Sequence, residues 1–149
     1  MNRTKCWEAL QGRSERDVEA ARQGLARALD RVTQLESQQS RLEAMRLDYQ
    51  QRMTATEQEP HAISRSVAYR SVLAQIGSLI ARVAADLEAA RSVVAGARRD
   101  LLRCEQEREK YELLLEREQA LEQARLDGEE GRMLEEFAIG RFAANRRAV

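Results

Sequence analysis

The chain has 149 residues, of which 34% are charged, 4% are aromatic and one is proline. This composition argues against both a thick globular core and a disordered chain, and it favours long exposed helices with one apolar stripe. The 25 basic and 25 acidic side chains cancel, so strong binding to a nucleic-acid backbone is not expected. No segment approaches the about 20 apolar residues of a membrane span, and the start lacks the apolar core of a secretory signal. We therefore expect a cytoplasmic protein without direct membrane insertion.

The first predicted helix runs from about residue 4 to about residue 56, with Thr4 as a candidate cap. Its apolar residues recur at alternating spacings of three and four, which is the heptad pattern of helices that wrap around each other. Gln39 and Arg46 are polar members of this pattern, and such residues can fix the register of a coiled coil at a cost in stability. The repeating positions are Val18, Ala21, Leu25, Ala28, Val32, Leu35, Gln39, Leu42, Arg46, Tyr49 and Met53.

A turn is predicted over residues 57–64, where the heptad pattern stops. Pro60 cannot lie in a helix interior without loss of a hydrogen bond and a clash with the preceding turn. Glu59, which precedes it, is also disfavoured in a helical conformation. Ser64 is a suitable N-cap for a following helix. The sequence therefore predicts two helices joined by a short connection.

The second predicted helix runs from about residue 65 to about residue 142, and its short connection predicts antiparallel packing on the first helix. With a turn centred near Pro60, Met53 lies near Ala68 and Trp7 lies near Leu114. The first helix then has no residues to pair with the second beyond about residue 115. The repeating positions are Tyr69, Leu73, Ile76, Ile80, Val83, Leu87, Ala90, Val94, Ala97, Leu101, Cys104, Arg108, Tyr111 and Leu115. The predicted fold is a single all-α domain over residues 1–149, a long antiparallel two-helix coiled-coil hairpin with an extended C-terminal helix.

Residues 116–149 differ from the rest of the second helix. Glu118 and Glu122 occupy heptad positions, three glycines follow, and apolar residues become sparse. We interpret this segment as a helix that frays into a tail, with an amphipathic patch from Met133 to Phe142 that binds a partner. The alternative is that the tail packs on its own hairpin.

The sequence contains no pattern that predicts catalysis, a metal site or a cofactor site. His61 is the only histidine, and it follows Pro60 in the turn with no second ligand near it. Cys6 and Cys104 lie about eleven residues apart along the predicted pair of helices, which at roughly 16 Å is too far for a disulfide. Cys6 is expected to be exposed and Cys104 to be a small core residue. We therefore predict a protein that is not an enzyme.

Tyr49, Met53, Tyr69 and Val72 cluster beside the predicted turn. Tyrosine and methionine are favoured at protein interfaces, so this cluster is a candidate partner-binding surface. The alternative is that these side chains only close the end of the apolar seam between the helices.

Several short segments, in this order and spacing, resemble the FliJ family of the bacterial flagellar export apparatus and the related stalk proteins of type III secretion systems. The segments are 47–53 (LDYQQRM), 69–73 (YRSVL), 107–112 (EREKYE), 116–117 (ER), 125–127 (RLD) and 135–138 (EEFA). The resemblance implies a non-enzymatic stalk, similar to the rotor stalk of rotary ATPases, at the inner-membrane base of the export apparatus. The implied partners are a hexameric export ATPase, the cytoplasmic domain of the export gate and export chaperones.

The resemblance also implies which residues make these contacts. The turn end of the hairpin would face the gate, and the end that carries both termini would face the ATPase ring. The implied gate-facing residues are Tyr49, Met53, Val72 and Ile76. The implied ATPase-facing residues are Met133, Leu134 and Phe137.

Two functions from other classes remain open at this point. A homo-oligomeric structural rod would show the same heptads, because the same apolar seam can pair between chains. A holdase-type chaperone would also use exposed apolar patches on a helical frame.

Overall fold

The computed structural model describes residues 2–60 and 63–148, and these residues form two α-helices and no β-strand. Helix α1 spans Asn2–Glu57 with 56 residues, and helix α2 spans Ile63–Arg147 with 85 residues. The two helices pack closely on each other, so the predicted all-α hairpin is confirmed. His61 lies outside the described residues, and the expectation that it is not catalytic stays a prediction.

Helix α1 ends where the sequence makes continuation unfavourable. The N–H of Glu59 donates to the carbonyl oxygen of Thr56 at 3.0 Å, and this bond closes a tight turn after the last helical residue, Glu57. Pro60 follows with no N–H to offer and a ring that disfavours helical angles at Glu59. A single proline therefore separates two helices whose residues otherwise favour continuous helix.

The described chain divides into two compact units, and the unit Glu19–Leu102 contains the turn. Its apolar core is a narrow seam between α1 and α2. Leu35 is 2% exposed and packs with Val83 and Leu87. The predicted antiparallel register also places Leu35 opposite the part of α2 that contains Val83 and Leu87. An ion pair at 3.6 Å between Glu36 and Arg91 lies beside the core and links the two helices.

The second unit, Met1–Val18 with Arg103–Val149, has a seam of its own. Val18 and Leu115 are buried in it, and the ring centroids of Trp7 and Tyr111 lie 6.3 Å apart. The sequence placed Trp7 near Leu114, which is one helical turn from Tyr111. The buried hydroxyl of Ser14 is satisfied locally, since it donates to the carbonyl oxygen of Gln11 at 2.7 Å.

Three features depart from, or refine, the expectations from sequence. Arg46 occupies a heptad position but is exposed, because a long guanidinium side chain can reach solvent from the edge of a two-helix seam. Cys6 is exposed and Cys104 half-buried, and both are free thiols. The C-terminal segment was expected to fray, but α2 continues as a helix to Arg147.

Candidate functional site

The described residues contain no group of three histidine, cysteine or acidic side chains that could hold a metal ion. Within the same residues, neither helix has an apolar stretch long enough to span a membrane. Every buried side-chain nitrogen or oxygen of the described part has a hydrogen-bond partner. The features that remain as candidate functional sites are exposed surfaces with unusual apolar content.

The first is the turn surface, formed by Tyr49, Met53, Val72 and Ile76 in the unit Glu19–Leu102. The ring centroids of Tyr49 and Tyr69 lie 6.1 Å apart, so one aromatic from each helix meets its counterpart beside the turn. The guanidinium of Arg52 lies 5.5 Å from the centroid of the Tyr49 ring. This distance is within the range of a cation–π interaction, which holds the ring in place while part of it stays accessible.

The four predicted gate-facing residues differ in how far their side chains are exposed. Tyr49, Met53 and Val72 are half-buried, so each presents part of its side chain at the surface. Ile76 is only 3% exposed, which makes it a core residue that supports the surface from beneath. Of these four residues, only Tyr49, Met53 and Val72 present side-chain surface that a partner could reach.

Two ion pairs connect the residues on either side of the turn. Arg70 pairs with Glu57 at 3.7 Å, and Arg65 pairs with Glu59 at 3.7 Å. All four side chains are largely exposed, so each pair contributes little to stability. Sequence reasoning did not identify these pairs, because they depend on how the chain reverses and not on helical spacing.

The second candidate is the tail surface, formed by Met133, Leu134 and Phe137 on α2. Every described residue from 119 to 148 is exposed, and Phe137 retains 67% exposure. Large exposed apolar side chains in such number make this segment a candidate site of protein interaction. The other exposed large apolar residues of this segment are Leu121, Leu126, Ile139 and Phe142.

The apolar residues of the tail do not form one stripe. Phe137 and Phe142 are five residues apart, so their side chains point about 140° away from each other around the helix. Both rings are 67% exposed, and the guanidinium of Arg146 lies 5.9 Å from the Phe142 centroid. The single amphipathic patch predicted from Met133 to Phe142 is therefore two separate apolar faces.

An intrahelical network supports the exposed helix just before the tail surface. Arg125 donates from Nη2 to Glu122 Oε1 at 2.7 Å and from Nη1 to Glu129 Oε1 at 2.7 Å. The hydrogen bond between Arg125 and Glu122 lowers the pKa of the Glu122 carboxyl below its ordinary value. The same bond raises the pKa of Arg125. Gln123 donates to Asp127 Oδ1 at 3.0 Å one turn along. Such neighbours three or four residues apart favour helix where no second helix is present to pack against.

Comparison with known protein families gives a match. A family model described as "Flagellar FliJ protein" matches residues 8–147, which is nearly the whole chain. No curated protein and no solved structure matches the chain significantly. The matched family is a structural family of flagellar export and not an enzyme family. The resemblance seen in the short segments is thus confirmed over both helices, and the chain belongs to the flagellar FliJ protein family.

Proposed function

We propose that this chain is a non-enzymatic coupling protein that links a hexameric export ATPase to the cytoplasmic domain of the export gate. Family membership supports a place in flagellar export. The observation that carries the proposal is the tail surface, where Met133, Leu134 and Phe137 stay exposed on a continuous helix. An apolar surface of this kind is stable in a cell when a partner covers it.

The ATPase contact is assigned to the tail surface and the gate contact to the turn surface. The tail surface offers one aromatic and two long aliphatic side chains, the kind of group that fills pockets on a partner. The turn surface offers Tyr49 with part of its ring accessible and its position fixed by Tyr69 and Arg52. A fixed aromatic loses little conformational entropy on binding.

Packing within each unit gives the coupling protein its stiffness. Leu35, Val83 and Leu87 interdigitate in the unit that bears the turn surface, and Val18 and Leu115 are buried in the unit that bears the tail surface. A close-packed interior transmits displacement because it has low compressibility. In this proposal the protein acts at the periphery of the inner membrane and also receives export chaperones.

The test is the rate of ATP hydrolysis by the export ATPase with and without this protein. We expect stimulation by the intact chain, and we expect the double variant Met133→Ala, Phe137→Ala to lose most of it. The matched control is Phe142→Ala, which removes an equally exposed ring from the other face of the tail. Absence of stimulation together with absence of co-purification with the ATPase would contradict the proposal.

A further inference from the structure

We infer that the tail of α2, from Leu126 to Ala144, pairs antiparallel with the same segment of a second copy of this chain. The inference concerns the isolated protein and does not depend on the proposed ATPase or gate contacts. Two observations support it. The tail continues the helix face that is buried earlier in α2. The charges along the tail are complementary to those of a second tail that runs in the opposite direction.

The first observation is continuity with the packed face of α2. Leu115 is the last buried residue of this helix. Met133 follows it by 18 residues, which is five complete turns, and Phe137 lies about 40° from it around the helix. The face that is covered as far as Leu115 thus continues, uncovered, through the tail surface. Its members after residue 125 are Leu126, Glu130, Met133, Phe137, Gly140 and Ala144.

These members recur at spacings of four, three, four, three and four, which is the heptad pattern again. The pattern has fixed partners in an antiparallel pair with a two-fold axis near residue 135. Met133 then faces Phe137 of the second copy, and Leu126 faces Ala144 of the second copy. Leu134, at the edge of this face, meets Leu134 of the second copy. At the levels of Met133 with Phe137 and of Leu126 with Ala144, a large side chain lies opposite a smaller or more flexible one, as interdigitated packing requires.

The second observation is the distribution of charge along the tail. Residues 118–136 contain seven acidic and two basic side chains, whereas residues 137–148 contain three arginines and no acid. Antiparallel pairing places the basic end of each copy on the acidic part of the other. In the register above, Asp127 meets Arg141 of the second copy on both sides of the two-fold axis. Parallel pairing would instead align acid with acid, so charge selects the antiparallel arrangement.

Two contacts in this register are unfavourable and limit the strength of the pair, and the first is the partial burial of the Glu130 carboxylate opposite Gly140 of the second copy. In the second, Glu136 lies at the edge of the face near the two-fold axis, where it meets Glu136 of the second copy. Like charges at this position oppose association. The pairing is therefore a reversible one, and it covers Met133 and Phe137, so a partner that binds these residues displaces the second copy.

Sedimentation of the purified full-length chain tests the pairing. We expect a monomer–dimer equilibrium with a Kd of about 10 μM, which sedimentation at concentrations up to about 100 μM can resolve. Phe137→Ala should weaken the dimer about 100-fold, because one substitution removes two rings per dimer. Phe142→Ala, whose ring has the same 67% exposure, should leave the dimer unchanged. Both side chains are exposed, and circular dichroism should show unchanged helix content in both variants.

Charge variants test the register. Asp127→Arg should weaken the dimer, and Arg141→Asp in the same chain should restore it, because the ion pair reforms with its signs exchanged. Glu136→Gln should strengthen the dimer by about twofold to fivefold. A chain that stays monomeric up to about 100 μM would overturn the inference. The inference would also be overturned if Phe137→Ala and Phe142→Ala weakened the dimer equally. It would likewise be overturned if the double charge variant dimerised no more tightly than Asp127→Arg alone.

Discussion

Replacement of Leu35 by alanine is expected to lower the free energy of unfolding by about 2–5 kcal/mol, the usual cost of a leucine removed from a packed core. Leu35 is 2% exposed and contacts Val83 and Leu87 across the seam. A two-helix seam has no second layer of side chains that could move in to fill the space. The measurement is urea unfolding followed by circular dichroism at the helical minimum.

The matched control is Leu47→Ala on the same helix, where the side chain is 57% exposed. Its effect should stay within about 0.5 kcal/mol, as for most surface substitutions. Equal losses in the two variants would show that Leu35 does not pack in the seam between α1 and α2.

Replacement of Tyr49 by alanine is expected to weaken binding of the gate's cytoplasmic domain by about 10-fold to 100-fold, the range of an aromatic hot spot. Tyr49 is the aromatic residue of the turn surface, and its half-buried ring lies 6.1 Å from the Tyr69 ring and 5.5 Å from the Arg52 guanidinium. Its removal deletes the proposed anchor and also frees Tyr69. The measurement is a binding isotherm with the isolated gate domain.

Tyr111→Ala is the matched control for this prediction. Tyr111 is also half-buried and also meets an aromatic from the other helix, since its ring centroid lies 6.3 Å from that of Trp7. It belongs to the other compact unit, so its loss should leave gate binding unchanged. If Tyr49→Ala binds the gate domain as tightly as the unsubstituted chain, the turn surface is not the gate-binding site.

Heptad spacing was sufficient to predict the fold because a two-helix seam repeats one physical rule along its length. Each apolar residue at the three–four spacing lies on one helix face, and one proline places the reversal. Leu35 and Leu87 are buried as this rule requires. Arg46 follows the spacing yet is exposed, because spacing assigns a position to a face but does not say how far a flexible side chain reaches.

The roles of the site residues could be predicted only in part. Heptad spacing places Ile76 at a core position and leaves Val72 out of the repeat, whereas the resemblance implies that both residues face the gate. The structure leaves Val72 half-buried and covers Ile76. The Arg70–Glu57 pair likewise needs the geometry of the turn.

The tail was the least predictable part of the chain. Its glycines and sparse apolar residues indicated fraying, whereas the structure is helical through Arg147. Ion pairs such as those of Arg125 with Glu122 and Glu129 stabilise the helix locally, and the pattern of apolar residues gives no information about them. Once the segment is helical, the separation of Phe137 from Phe142 follows from helix geometry.

The most direct test of the coupling role is whether this chain joins its two proposed partners in one complex. The gate's cytoplasmic domain is immobilised, and retention of the export ATPase is measured with and without the chain. We predict that the ATPase is retained only when the chain is added, and that either Tyr49→Ala or Phe137→Ala reduces retention strongly. Retention without the chain, or displacement of one partner by the other, would contradict the coupling function.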